Sequence, residues 1–284
     1  MPCPERSRER GVTLIEMVIV IAITAIIAGA VAVFISRPVE GYADAARRAE
    51  MTDIADTALR RITRDLRTAL SNSIRTTTVS GVLYLEYLQG SGGGRYRAEK
   101  DSGGLGDTLD FTNPLGDSSF DVIGAMPTLT AGDSIVIYNL ASSGASANAY
   151  AGDNRAAVNV GASTATTIAL TAAKQFPFPS PGKRFQVVQQ PVTYACDPVG
   201  GTVRRIAGYA IQAAQPNNVA AAPLSTAPSN VLLATNVAAV GGCSFTYVTS
   251  GAAQRTGVLM LSLKIQQSGE SIQLFQQVHV TNVP

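Results

Sequence analysis

Residues 10–37 read RGVTLIEMVIVIAITAIIAGAVAVFISR, and this stretch decides how the rest of the chain can fold. Between the two bounding arginines, Glu16 is the only charged residue. As an α-helix, residues 12–36 would span about 37 Å, which exceeds the hydrocarbon core of a bilayer at about 30 Å. A carboxylate near the middle of such a span costs roughly 2.5 to 3.5 kcal/mol on insertion scales. We therefore predict that residues 12–36 form a transmembrane helix in which Glu16 has a partner.

The flanking charges predict how this helix is oriented. Arg6, Arg8 and Arg10 precede it and favour a cytoplasmic N-terminus, so the chain after Arg37 would lie on the other side of the membrane. The alternative is a signal peptide removed by the ordinary signal peptidase, because residues 28–32 (AGAVA) offer small-residue cleavage patterns. Glu16 argues against that alternative, since a disposable apolar run has no need of a charge.

The helical pattern continues beyond the apolar run. Within residues 37–72, apolar side chains recur every three or four positions, as expected for an amphipathic helix that covers a core. These positions are Met51, Ile54, Ala55, Ala58, Leu59, Ile62, Leu66, Ala69 and Leu70. Charged residues on the other faces, such as Asp56 and Arg60, indicate a solvated surface with local ion pairs. Ser71-Asn72-Ser73 would end the helix, with flexures expected at Gly29 and residues 38–41.

Residues 73–284 are predicted to form one β-rich globular domain. Their composition favours strands and loops, because Ala, Gly, Ser, Thr and Val are abundant and Trp is absent. The strand candidates are residues 82–88, 134–140, 166–170, 185–194, 202–212, 244–248, 258–266 and 272–280. Gly-, Ser- and Ala-rich stretches at residues 90–107, 141–165 and 213–230 are predicted as loops. The pattern predicts an α+β fold in which a long N-terminal helix packs on antiparallel sheets.

The three cysteines fall into two groups. Cys3 lies in the first ten residues, whereas Cys196 and Cys243 lie far apart in the globular part. If the first residues stay in the cytoplasm, Cys196 and Cys243 can pair in an oxidising compartment. The alternative is two buried free thiols.

Several other functions find little support in the sequence. A net charge of +2 gives no electrostatic case for nucleic acid binding. The only histidine, His279, occupies an alternating strand pattern, which favours a structural role over a catalytic triad. The glycines at residues 90–94 and 103–106 fit neither a P-loop nor a dinucleotide-binding pattern and are interpreted as loop residues.

Two ligand sites remain as weaker candidates. A group of aspartates could supply oxygen atoms to calcium, although their spacing is not that of an EF-hand loop. The group consists of Asp101, Asp107, Asp110, Asp117 and Asp121, with Asp107, Asp110 and Asp117 as the main candidates. A sugar-binding surface could form from Tyr84, Tyr87, Tyr96 and Arg95, but aromatic residues in strands more often belong to the core. No other cofactor is expected.

Residues 11–20, GVTLIEMVIV, resemble the class III prepilin signature of type IV pilins and type II secretion pseudopilins. The resemblance implies a type IV pilin-like fold and a leader peptide at residues 1–11. A prepilin peptidase would cut between Gly11 and Val12 on the cytoplasmic side and methylate the new amino group of Val12. The chain has valine at position 12, where these families most often have phenylalanine.

The same resemblance gives Glu16 a partner. After cleavage, the Val12 ammonium group would lie in the membrane four residues from Glu16, and the two charges could pair within one helix or between neighbouring subunits. Loss of Glu16 would then harm assembly more than insertion. Pairing between subunits would offset the desolvation of both groups and fix the axial stagger of the helices.

Both ends of the chain resemble the large minor pilin-like proteins of MSHA (mannose-sensitive haemagglutinin) type IV pilus systems, which are similar to J-type pseudopilins. The matching segments are residues 34–75, KRFQVVQQPVTYAC, GGCSFTY and LFQQVHVTNVP, and residues 90–165 are not matched. The implied partners are prepilin peptidase, other minor pilins, the major pilin and the inner-membrane assembly platform. The implied location is a single pass through the inner membrane with a periplasmic domain that can reach the pilus tip. A type II secretion pseudopilin and a tip adhesin for glycans or surfaces are the alternative functions.

Overall fold

The computed structural model describes residues 11–144, 146–249 and 256–282. In these residues one long helix, α1 (Leu14–Leu66), is followed by a series of strands. The strands are β1 (Arg75–Val79), β2 (Val82–Tyr96), β3 (Asp117–Ile123), β4 (Ser134–Ile137), β5 (Arg155–Ala157), β6 (Thr167–Lys174), β7 (Arg184–Asp197), β8 (Thr202–Ala207), β9 (Ser229–Ala234), β10 (Cys243–Thr249), β11 (Thr256–Gln267) and β12 (Glu270–Thr281). The chain divides into two compact units, Met1–Glu50 and Met51–Pro284.

The described part of the first unit is dominated by the apolar half of α1. Every described side chain from Val12 to Ile35 is exposed. An α-helix that is apolar on all sides and has no protein core around it is typical of a membrane-spanning segment.

The second unit contains two antiparallel sheets. The larger has nine described strands, six of them in the order β5-β4-β7-β2-β3-β6, with β1 paired to β2, β8 to β7 and β9 to β8. The smaller has the order β10-β11-β12. The predicted α+β class, with a long apolar N-terminal helix followed by antiparallel sheets, is therefore confirmed and is consistent with a pilin-like fold.

The last part of α1 packs on both sheets through the face that the sequence predicts. Ile54 and Ala69 are partly buried, and the other predicted positions are buried: Met51, Ala55, Ala58, Leu59, Ile62, Leu66 and Leu70. The main hydrophobic core combines α1 side chains with residues of both sheets, including Leu85, Tyr87, Val192, Tyr194, Leu259, Leu261 and Val278. One core thus joins the helix to the two sheets.

Asp65 fixes the C-terminal turn of α1 to the nine-stranded sheet. Its Oδ2 accepts hydrogen bonds from Nε of Arg205 at 2.7 Å and from the Tyr194 hydroxyl at 2.8 Å. Its Oδ1 lies 3.3 Å from Nε of Arg61. Burial alone would raise the pKa of Asp65, but the hydrogen bonds from Arg205 and Tyr194 and the charges of Arg205 and Arg61 lower it below its usual value. The carboxylate is therefore held in its ionised form.

A disulfide joins Cys196, in β7, to Cys243, at the start of β10. The two Cα atoms are 6.5 Å apart. Because β7 belongs to the nine-stranded sheet and β10 to the three-stranded sheet, the disulfide links the two sheets covalently.

Several predicted boundaries are wrong. The helix ends at Leu66 rather than at residues 71–73, because the next residues turn towards β2 and the Leu70 N–H donates to the Leu88 carbonyl at 2.8 Å. β8 ends at Ala207 because Gly208 turns the chain with a φ of +88°. The sequence did not predict β1, β3, β5 or β9, and β5 lies inside a predicted loop.

The glycine run at residues 90–94 was predicted to be a loop but lies inside β2. It pairs with β7, where Gly93 and Gly94 lie opposite Gln186 and Phe185. A Cβ atom on Gly94 would lie 2.8 Å from Cζ of Phe185, and one on Gly93 would lie 2.7 Å from the Phe185 carbonyl oxygen. Glycine is needed in this part of β2 because the strands β2 and β7 approach each other closely.

Gly94→Ala is expected to destabilise the protein by about 1–3 kcal/mol, because the added methyl group collides with the Phe185 ring. That ring packs edge-on against Phe120, at 5.5 Å between centroids, and has little room to move. Urea unfolding of the two variants measures the effect. Gly92→Ala is the matched control, since its Cβ atom would meet Pro127 at 3.4 Å, an ordinary contact. Equal stability of the two variants would contradict the steric explanation.

Candidate functional site

The N-terminus of α1 is closed by Thr13 and Glu16. The Thr13 carbonyl accepts a hydrogen bond from the Met17 N–H at 3.2 Å. The Thr13 hydroxyl accepts one from the Glu16 N–H at 3.3 Å, and Oε2 of Glu16 accepts one from the Thr13 N–H at 3.5 Å. This reciprocal pair is a capping box, which satisfies two backbone donors at the start of the helix. The Glu16 carboxylate therefore already has a local partner in the uncleaved chain.

The role of Thr13 was missed at the sequence level, although a signal for it exists. Thr-x-x-Glu immediately before a long apolar run is the spacing of a capping box, and residues 13–16 (TLIE) have it.

Gly11 and Val12 precede the helix. Both are exposed, and both lie in the non-helical segment before Leu14. Among the described residues, and apart from the chain neighbours of Gly11, no atom lies within 4 Å of the position that a Cβ on Gly11 would occupy. The Gly11–Val12 peptide bond is therefore accessible in the described part of the chain. Pairing between Glu16 and a Val12 amino group stays a prediction, because that group exists only after cleavage.

The apolar segment that follows satisfies its own polar groups. The Thr24 hydroxyl donates to the carbonyls of Val20 at 2.7 Å and Ile21 at 3.0 Å, so it leaves no free donor towards lipid. Among the described residues, α1 is the one helix long and apolar enough to cross a membrane. Apart from Glu16, the helix between Leu14 and Ile35 presents only uncharged side chains.

Comparison with known families bears on this same segment. Residues 6–32 match the family model described as the prokaryotic N-terminal methylation motif. The chain carries a prepilin-type methylation motif. This motif supports a type IV pilin or pseudopilin family and implies processing by prepilin peptidase and assembly with other pilins. Together with α1 it fits a single-pass, membrane-anchored pilin-like subunit. No curated protein and no solved structure matches the chain significantly.

The candidate calcium ligands are engaged in local hydrogen bonds. The Asp107 carboxylate accepts from the Ser119 hydroxyl at 2.6 Å, and the Asp117 carboxylate accepts from the Asp110 N–H. Hydrogen bonds from the hydroxyl and N–H of Thr112 lower the pKa of Asp110. In the described ranges, no group of three or more His, Cys, Asp or Glu side chains could hold a metal ion. The geometry gives the calcium hypothesis no support.

The tyrosines of the weaker sugar-binding candidate lie in the core, which is the alternative that aromatic residues in strands favour. Tyr84, Tyr87 and Tyr96 are at most 3% exposed, because they lie on β2 and pack into the interior. Burial raises the pKa of the Tyr87 hydroxyl. His279 is an exposed residue of β12, a strand that the alternating pattern predicts. Its Nε2 lies 3.3 Å from Nε2 of Gln277.

Proposed function

We propose that this chain is a structural, non-enzymatic minor pilin-like subunit of an MSHA-type IV pilus, similar to MshO. The observation that carries the proposal is the prepilin-type motif at residues 6–32, which overlaps an exposed apolar segment of α1, residues 14–35, whose only acid is Glu16. Residues 1–11 would be the leader, residues 12–36 the membrane and assembly segment, and residues 37–72, which are helical as far as Leu66, the connection to the globular domain. Residues 73–284 would form the periplasmic domain.

Glu16 would change partners during maturation. In the uncleaved chain its carboxylate accepts from the Thr13 N–H, which reduces the number of free polar groups at the helix start. Cleavage at Gly11–Val12 creates an ammonium group, which methylation leaves charged. The carboxylate of an incoming subunit can then pair with the amine of a neighbour, so that each group compensates the desolvation of the other.

This mechanism favours a position inside the initiating complex rather than at its unpartnered end. A subunit that carries Glu16 can dock beneath another subunit whose amine is already in place. The partners would be other minor pilins, the major pilin and the inner-membrane assembly platform. The subunit would begin in the inner membrane and reach the pilus tip after assembly.

A type II secretion pseudopilin is the second candidate function, because the same N-terminal motif supports it equally. The neighbouring genes distinguish the two: genes for a pilus favour the first, and genes for a secretion system the second. The tip adhesin alternative has no support from an aromatic surface, because the three tyrosines that could have formed one are buried.

The processing step is tested by intact mass and N-terminal sequencing of protein purified from its native membrane. We expect a chain that begins at Val12, with or without one added methyl group. A chain that begins near Val31 or Val33 would identify an ordinary secreted domain and overturn the proposed role of Glu16.

Two substitutions at Glu16 separate its charge from its capping role. Gln can replace Glu in a capping box, whereas Ala cannot. If the ion pair drives assembly, Glu16→Gln and Glu16→Ala both enter the membrane in normal amounts and both lose recruitment into the assembly complex. Co-purification with the other minor pilins measures recruitment. Normal recruitment of Glu16→Gln would show that the charge is not required, and normal recruitment of both variants would remove Glu16 from the mechanism.

A further inference from the structure

The free edge of the three-stranded sheet is an unprotected pairing surface. In the ranges that the structure describes, β12 pairs with β11 and with no other strand. Its register with β11 is regular from Glu270 to Thr281, without a bulge. In the described ranges, residues 271–281 make no backbone–backbone hydrogen bond outside this pairing. An edge of this length offers a row of donors and acceptors to another strand.

Charged residues, proline and bulges, which are among the usual protections of an edge strand, are missing in residues 271–281. Soluble proteins shield such edges with charges, proline, bulges or very short strands. Residues 271–281 of β12 read SIQLFQQVHVT, with no proline and no Asp, Glu, Lys or Arg. The groove beside the edge, of about 460 Å³, is lined by residues 274–277 and by Asp56, Leu59 and Arg60 of α1. Asp56 and Arg60 pair with each other at 2.6 Å, so the groove carries no unbalanced charge.

An apolar spot lies on the outer face of this edge. Phe275 is 75% exposed and Met260 is 53% exposed. In the β11–β12 register, Phe275 lies opposite Ser262 and Met260 opposite Gln277, which makes Phe275 and Met260 diagonal neighbours on one face. Diagonal neighbours are within reach of aromatic and long side chains. A partner that extends the sheet would need a matching apolar group next to Phe275.

A second copy of this chain has the matching apolar group, namely its own Phe275. An antiparallel pairing of two β12 strands about a two-fold axis at Phe275 places Phe275 on Phe275 and Gln273 on Gln277. On the inner face it places Ile272 on Val278. No like charges meet along the strand, and the two exposed Phe275–Met260 spots join into one cluster. We propose that two copies of this chain associate through β12 to form a continuous six-stranded antiparallel sheet, an isologous interface. This inference does not rest on the proposed function.

Cysteine cross-linking of the full chain in its native membrane tests the contact. In a Cys3→Ser background, Phe275→Cys should give a disulfide-linked species of twice the chain mass. Cβ atoms of directly opposed residues lie about 4.5–5.5 Å apart, near the separation that a disulfide needs. Val199→Cys is the matched control, because Val199 is 86% exposed and lies in the turn between β7 and β8. Absence of the dimer, equal cross-linking of the control, or cross-linking to another protein instead would overturn the proposal.

A charge exchange tests the register. Lysine at both positions, Gln273→Lys with Gln277→Lys, places like charges opposite each other twice across the axis and should weaken self-association roughly tenfold. Gln273→Glu with Gln277→Lys places opposite charges at the same sites and should restore it. Sedimentation equilibrium of the full chain in detergent measures both variants, and circular dichroism checks their fold. A monomeric native chain, or identical behaviour of the two double variants, would overturn pairing about Phe275.

Discussion

Replacing both Cys196 and Cys243 with serine is expected to lower the free energy of unfolding by about 4 kcal/mol. The disulfide closes a loop with a sequence separation of 47 residues, and the chain-entropy model gives about that value for such a loop. Stabilities of single domains are about 5–15 kcal/mol, so a large share of the total depends on this bond. The variant should populate its unfolded form more readily than the native protein, in oxidising and reducing conditions alike, because it cannot form the bond.

Urea unfolding of the full chain in detergent measures this loss. Tyrosine signals serve as the probe, because the chain has nine Tyr and no Trp. Cys3→Ser is the control and should leave stability unchanged, since Cys3 takes no part in the disulfide. A loss below about 1 kcal/mol in the double variant would contradict the entropic account of the disulfide.

Asp65→Asn should cost about 2–3 kcal/mol at neutral pH. Arg205 and Asp65 are only 15% and 13% exposed, and removal of one partner leaves the Arg205 charge without its counter-ion. Breaking a fully buried pair costs about 3–5 kcal/mol, and residual solvent contact places this pair at or just below the lower end. Asp56→Asn is the matched control on the same helix, because its partner Arg60 is 74% exposed and solvent screens the pair; no measurable change is expected.

The effect of Asp65→Asn should depend on pH. The pKa of Asp65 is lowered in the folded protein, so the folded state favours the ionised carboxylate relative to the unfolded chain. Its contribution is fully present above the unfolded-state pKa of about 3.9 and is lost as the pH falls through the lower folded-state pKa. The stability difference between native protein and Asp65→Asn should therefore be constant from pH 7 to about pH 5 and shrink below about pH 4. A difference that grows with acidification would contradict this sign.

The helix and the C-terminal strands follow closely from sequence periodicity, whereas the glycine strand does not. The buried face from Met51 to Leu66 can be predicted because a three-to-four spacing places those residues on one side of a helix. The run Gly90–Gly94 could not be, because glycine is depleted from strands and its use here depends on the approach of Phe185 from β7. A contact between residues far apart in the chain decides this element. The strand propensity of residues 90–94 therefore cannot predict this contact with Phe185.

The candidate site divides in the same way. The N-terminal motif could be found from the sequence, since Gly11, Val12 and Glu16 lie in a short contiguous stretch that a family comparison also finds, whereas their roles in cleavage and assembly stay predictions. Alternation in β2 does not say which face of the sheet is covered, so it could not decide between a sugar-binding surface and the core, although aromatic residues in strands more often belong to the core. That choice was made by packing: α1 covers Tyr87, and the loop around Tyr209 and Leu224 covers Tyr84.

The shared core also determines how the globular unit responds to mechanical force. Residues 51–66 of α1 pack against both sheets, Asp65 ties the helix end to β7 and β8, and Cys196–Cys243 joins β7 to β10. Tension that reaches this part of the helix is therefore distributed over two sheets at once. Neither sheet can be peeled from the helix without disturbing the packing of the other, so the unit should resist a pull as a single body.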